Sequence, residues 1–86
     1  MIIKLAKLNI SGYARSEARK ILADIGDKKI ILDFDKIPML GQAFADEIFR
    51  VYKIKHPDIE IVSINMNDAV KFMIGRVGKP GKMGEK

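Results

Sequence analysis

The sequence contains no cysteine, a single histidine and no long apolar run. Without cysteine, neither a disulfide nor a thiolate metal ligand can form, and the reducing cytoplasm is the default compartment for such a chain. A helix that crosses a bilayer needs about 18 apolar residues, and the N-terminus has no hydrophobic signal region. We therefore expect a cytoplasmic protein with no membrane partner.

Positive charge is concentrated at the C-terminal end of the chain. The 86 residues have a formal net charge of +5, yet residues 1–74 hold 12 basic and 10 acidic residues. The sequence after residue 77 has no apolar periodicity. We expect one small domain over residues 1–77 and a flexible basic tail over residues 78–86. The nearly neutral domain argues against nucleic acid as its main partner.

Three stretches rich in strand-forming residues alternate with three stretches whose apolar residues recur every three or four positions. The pattern predicts strands at 2–8, 29–34 and 59–64, and helices at 14–25, 44–52 and 66–77. The middle strand, KIILDF, has four large apolar residues in six positions, which is typical of a central strand buried on both faces.

The order β-α-β-α-β-α predicts an α/β fold with a small, mainly parallel sheet joined by right-handed crossovers. Two strand orders remain open. A sequential order places all helices on one face and leaves Ile31, Asp33, Glu60 and Val62 on the open face, with Lys4 as a further candidate. A central first strand would instead place helices on both faces.

Several motifs resemble a known family. They are R-S-E-A-R (15–19), D-F-D-K-I (33–37), G-Q-A-F-A-D-E-I-F-R (41–50), H-P-D-I-E-I (56–61) and I-N-M-N-D-A-V (64–70). Over roughly residues 2–77 the chain resembles the STAS-like domains of unassigned function. These are similar to the STAS domains of anti-sigma-factor antagonists and sulphate transporters, which wind as a β-α superhelix with sequential strands. The resemblance favours helices on one face.

The resemblance also implies a function. Anti-sigma-factor antagonists carry a serine before the second helix, and its phosphorylation by a partner kinase switches binding. That position is close to Gln42, and residues 38–44 contain no Ser, Thr or Tyr, so the phosphorylation switch does not carry over. The resemblance still implies that the same helix edge binds another protein. Relatives are sometimes joined to histidine-kinase-like ATPase domains, which implies a regulatory partner of that kind.

The candidate partner-binding residues are Gln42, Asp46, Glu47 and Arg50. Arg50 follows the two acids by four and three positions, a spacing that predicts ion pairs within the helix. Acids in the first turns also complement the positive end of the helix dipole and disfavour an anionic ligand. A structural role and a partner-binding role both remain open for these acids.

The sequence predicts no catalytic residue, cofactor site or metal site. Asp33 and Asp35 at the end of the central strand could hold Mg²⁺, but supporting ligands are missing, and the alternative is a loop cap. His56 fits the C-terminal end of a helix. Ser11 and Ser16 have no histidine base in any recognisable motif and fit helix caps.

We therefore expect a non-enzymatic, protein-binding regulatory or adaptor module. A homodimer formed through the open sheet face is a companion expectation. The alternative function, from a different class, is non-specific nucleic-acid binding through the basic tail.

Overall fold

A computed structural model of the protein describes residues 1–23 and 25–77. The elements are β1 (Ile2–Lys4), a 3-10 turn (Leu5–Lys7), α1 (Arg15–Leu22), β2 (Lys29–Asp33), α2 (42–55), β3 (Glu60–Ile64) and α3 (Asp68–Val77). In the described part of the chain, no helix has the length and apolar character needed to cross a membrane. The predicted tail at 78–86 lies outside the described residues.

The sheet is parallel, and its strands lie in the order β1-β2-β3. Ile2 on β1 is in register with Ile31 on β2, and Ile31 is in register with Val62 on β3. Right-handed crossovers between sequential parallel strands put the connecting helices on the same side of the sheet. α2 packs there between α1 and α3. The predicted α/β fold with helices on one face is confirmed, and the arrangement with a central first strand is excluded.

The hydrophobic core lies between the sheet and the helices. Ile30 and Leu32 on β2 are fully buried there, whereas Ile31 between them is only half-buried. Alternate side chains of a strand point to opposite faces, so Ile31 belongs to the face that carries no helix. The prediction that the central strand is buried on both faces is therefore wrong, because the sequential strand order leaves one face uncovered.

α2 is one continuous helix with an irregular middle. Gln42–Asp46 and Tyr52–Lys55 are α-helical, and the segment between them, Glu47–Val51, has the wider i→i+5 pattern of a π-helix. Such π segments are rare and often occur at functional sites. The buried side of α2 faces the sheet and the neighbouring helices. It comprises Phe44, Ala45, Glu47, Ile48 and Tyr52. α2 begins at Gln42, two residues before the predicted start, and ends at Lys55, three residues after the predicted end.

The ends of several elements differ from the predictions. β1 stops at Lys4 because the chain turns and buries Leu5 in the core. α1 ends at Leu22, short of the predicted 25. The N-terminal cap of α3 is Asn67, whose Oδ1 accepts a hydrogen bond from the Val70 amide at 2.8 Å. Asn65, which precedes the predicted helix at 66–77, lies outside α3 with a φ of 57°.

Candidate functional site

Charged residues of α1 and α2 form a cluster where the two helices pack. We call this group, which consists of Arg15, Arg19, Asp46, Glu47 and Arg50, the arginine–carboxylate cluster. Arg15 Nη1 donates to Asp46 Oδ2 at 3.0 Å and to Glu47 Oε1 at 3.1 Å. A single guanidinium therefore joins the two acids of α2 to α1.

Glu47 is the acid that the fold encloses most completely. Glu47 is only 5% exposed, and its second carboxylate oxygen, Oε2, lies 3.3 Å from Arg19 Nε. Burial of a carboxylate is costly unless it is paired and hydrogen-bonded, and the two arginines of α1 satisfy that requirement. The predicted pair between Glu47 and Arg50 does not form. Glu47 follows Asp46 by one position, so its side chain leaves the helix in another direction and reaches α1.

Asp46 forms the predicted ion pair within the helix. Arg50 donates from Nε to Oδ1 at 2.6 Å and from Nη2 to Oδ2 at 2.8 Å, a bidentate arrangement. The hydrogen bonds from Arg50, together with the one from Arg15, lower the pKa of Asp46 to about 2 against the opposing effect of burial. Asp46 is therefore ionised at neutral pH and held in place.

The contacts within the cluster support the structural interpretation of its acids. Both acids accept hydrogen bonds from arginines of the same chain, which is a structural role. The arginines remain more accessible: the side chains of Arg19 and Arg50 are 63% and 42% exposed. Contact with another molecule at the cluster would therefore be made through guanidinium groups more than through carboxylates.

Two loops meet at the start of α2. The Gly41 amide donates to the Gly12 carbonyl at 2.8 Å. A Cβ atom placed on Gly41 would lie 2.9 Å from Tyr13 Cα, so only glycine allows the two loops to approach this closely. Asn67 Nδ2 donates to the carbonyl of Ile37 at 3.1 Å, which ties the second loop to the start of α3. These contacts fix the backbone that precedes α2.

The same two loops expose large side chains. Tyr13 is 52% exposed and Met39 is 46% exposed, and Gln42 next to Gly41 is also exposed. We call Tyr13, Met39 and Gln42 the helix-start surface. Of these three, sequence reasoning identified only Gln42. Tyr13 and Met39 are 26 positions apart in the sequence, and only the loop contact brings them to one surface.

Asp33 is engaged in hydrogen bonds of the loop after β2. Asp33 Oδ1 accepts hydrogen bonds from the Asp35 amide and from Asn65 Nδ2, each at 2.9 Å. These bonds lower the pKa of Asp33. Within residues 1–23 and 25–77, no group of three or more metal-ligating side chains comes together. Asp33 caps the loop after β2, as its alternative interpretation predicts.

His56 lies at the C-terminal end of α2, as predicted. Its amide donates to the Tyr52 carbonyl at 2.8 Å, and its ring packs on the Tyr52 ring with centroids 4.4 Å apart.

Ser11 is not the N-cap of α1. The N-cap is Ala14, and Glu17 in the first turn instead accepts hydrogen bonds from the Ser11 amide and hydroxyl. Ser16 lies within α1, so the prediction that one of these serines caps the helix is wrong.

Comparison with known proteins identifies a family. A family model described as a STAS-like domain of unknown function (DUF4325) matches residues 17–71, from the first turn of α1 into α3. The matched segment contains all of α2 and so includes Gln42, Asp46, Glu47 and Arg50. The chain has no match among curated proteins or solved structures. The resemblance inferred from the motifs is confirmed.

Proposed function

The chain belongs to the STAS-like domain family, and on that premise we propose that it is a non-enzymatic, protein-binding module with a regulatory or adaptor role. Another protein binds the helix-start surface and extends along α2 to Arg50. The observation that carries the proposal is the exposure of Tyr13 and Met39 on loops fixed beside the start of α2.

The chemistry of this surface supports protein recognition. Tyrosine and arginine are enriched among the residues that contribute most to protein interfaces, and methionine adapts to irregular partner surfaces. Tyr13 and Met39 supply apolar contact area, and Gln42 supplies an amide for hydrogen bonds. The loop contacts at Gly41 hold these groups in place, which lowers the ordering cost of binding.

Asp46 and Glu47 have an indirect role in this proposal. Their carboxylates hold Arg15 and Arg50 and thereby fix α2 against α1. Charge-reversal of these acids would disturb the fold as well as the binding surface, so substitutions at exposed positions give a cleaner test. The first partner class to examine is a histidine-kinase-like ATPase, which rests on family analogy alone.

The proposal is tested by affinity capture with two matched substitutions. Met39→Lys places a charge on the helix-start surface. Ile54→Lys makes the same kind of change at the other end of α2, where Ile54 is 68% exposed. Tagged wild-type protein and both variants are incubated with nuclease-treated lysate of the source organism, and captured proteins are identified by mass spectrometry. We expect a partner retained by wild type and Ile54→Lys and lost with Met39→Lys.

Direct titration with the purified partner gives the quantitative result. Loss of one central interface contact typically costs about 2 kcal/mol or more. Met39→Lys should therefore weaken binding roughly 30-fold or more, while Ile54→Lys should change it less than about threefold. Equal affinity of the two variants would show that the partner binds elsewhere.

The same capture experiment examines the alternative function. Nuclease treatment removes partners that are bridged by nucleic acid, and a variant that lacks residues 78–86 removes the basic tail. Capture that depends on the tail and disappears with nuclease would favour non-specific nucleic-acid binding. Capture that persists under both conditions and depends on Met39 supports the protein-binding role.

A further inference from the structure

The sheet has one face without helices, which we call the open sheet face. Its side chains alternate with the buried ones and form three rows across the strands. The rows are Lys29 and Glu60; Ile2, Ile31 and Val62; and Lys4, Asp33 and Ile64. An apolar row is therefore flanked by a charged row on one side and a mixed row on the other.

The apolar row of this face is accessible to water. Ile2 is 60% exposed, and Ile31 and Val62 are half-buried although they lie within the sheet. Covering branched aliphatic side chains with another apolar surface is favourable, because it removes their apolar surface from water. A face of this kind commonly packs against a second sheet about 10 Å away.

In a face-to-face dimer the two-fold axis lies midway between the two sheets and parallel to them, and we compare an axis along the strands with an axis across them. If the axis runs along the strands, Lys29 faces Lys29 and Asp33 faces Asp33 of the second copy. If the axis runs across the strands along the apolar row, the strands are antiparallel and Lys29 faces Asp33 of the second copy. On β2, only the second arrangement places opposite charges against each other.

We propose that the open sheet face binds a second copy of the chain in the antiparallel arrangement, with Ile31 on the two-fold axis and two Lys29–Asp33 ion pairs between the copies. A two-fold interface is self-complementary, so each pair occurs twice. Asp33 is suited to this contact because both of its loop hydrogen bonds use Oδ1, so they leave Oδ2 available for an ion pair.

The size of the face predicts a weak dimer. Strands about 4.8 Å apart and about five residues long give a face of only a few hundred Å². Stable interfaces bury about 800 Å² on each partner. We therefore expect dimers at concentrations of roughly 0.1 to 1 mM, and monomers in the low micromolar range.

Charge complementation tests the proposal. Sedimentation velocity is measured up to about 1 mM for wild type, for Lys29→Glu, for Asp33→Lys and for an equimolar mixture of the two variants. Each variant alone places like charges opposite each other and should remain monomeric. In the mixture, a Lys29→Glu chain and an Asp33→Lys chain are complementary at both pairs, so dimers should return. Lys20→Glu, an exposed change on α1, should dimerise like wild type.

Two further variants keep the test valid if Asp33→Lys disturbs the loop that Asp33 caps. Asp33→Asn keeps Oδ1 as an acceptor and removes only the charge, and it should weaken the dimer at least threefold. Ile31→Lys places two charges together on the axis and should abolish the dimer. Circular dichroism confirms the fold of each variant.

Three results would overturn the proposal. They are a wild-type protein that stays monomeric at about 1 mM, a mixture that fails to regain dimers although both variants are folded, and a Lys20→Glu variant that loses the dimer as Lys29→Glu does. The outcome is separate from that of the proposed function. Lys29→Glu should retain the captured partner, and Met39→Lys should still dimerise.

Discussion

At the scale of single residues, Glu47 shows how the charged groups of this chain are used. It is the only charged residue that is buried within residues 1–23 and 25–77, and both of its oxygens meet arginines of α1. Such a carboxylate gives no free acid or base to a substrate. Its effect is to fix the angle at which α2 lies on α1, and with it the position of the start of α2.

Replacement of Glu47 by glutamine should reduce the free energy of unfolding by about 1 to 3 kcal/mol. Glutamine fills the same space but leaves two arginines without their buried counter-charge. The loss should appear in urea unfolding as a lower midpoint with an unchanged slope. Glu60→Gln, an exposed change on β3, should stay within about 0.5 kcal/mol of wild type in dilute solution. Equal unfolding free energies for the two variants would contradict a structural role for Glu47.

The pKa of Asp46 predicts a pH dependence. An aspartate in an unfolded chain has a pKa of about 3.9, whereas Arg50 and Arg15 lower the pKa of Asp46 to about 2 in the folded protein. The folded state therefore gains stability from this group above about pH 4, and loses it as the pH falls towards 2. The contribution is on the order of 2 kcal/mol.

The comparison of wild type with Asp46→Asn isolates this contribution, because other acids titrate alike in both proteins. The difference in unfolding free energy should be about 2 kcal/mol larger at pH 6 than at pH 2. A difference that does not change with pH would show that the ion pairs with Arg50 and Arg15 do not stabilise the folded protein.

At the scale of elements, the junction of the two loops before α2 depends on Gly41. Gly41→Ala would place a Cβ 2.6 Å from Tyr13 Cδ1 and 2.9 Å from Tyr13 Cα, so the loop at Tyr13 must move. We expect a loss of about 1 to 3 kcal/mol in unfolding free energy and weaker partner binding. Gly26→Ala is the matched control, since its Cβ would have no atom within 4 Å. Equal effects of both changes on stability would contradict this account.

The sequence predicts the elements better than their ends. The spacing of the apolar residues in β2 and α2 predicts that the first is a strand and the second a helix, because this spacing shows which side chains face the core. The early end of β1 at Lys4 and the bond from Asn67 to the loop before α2 depend on contacts with distant parts of the chain. Leu5 enters the core and Asn67 binds the loop carbonyl of Ile37, and neither contact has a local signal.

The sequence predicted only those contacts of the candidate site that lie within one helix. Asp46 and Arg50 are four positions apart on one helix, and their ion pair follows from that spacing. The pairing of Glu47 with Arg15 and Arg19 requires the packing of two helices. The exposure of Tyr13 and Met39 beside Gln42 requires the meeting of two loops. Strand order came from the family resemblance, since alternation alone allowed two topologies.

At the scale of the whole molecule, the fold divides the surface into two regions on different faces. The helix side carries the helix-start surface and the arginine–carboxylate cluster. The other side is the open sheet face with its apolar row and the complementary charges of Lys29 and Asp33. Our proposals assign a partner protein to the first and a second copy of the chain to the second, so both can bind at once.

The central claim is that a partner protein binds at the start of α2. The most direct test is an amide NMR titration of ¹⁵N-labelled protein at low micromolar concentration with the captured partner. We predict saturable shifts at residues 11–14 and 39–50, with little change at 29–33 and 60–64. Shifts confined to the strands, with none at Tyr13, Met39 or Gln42, would contradict the account.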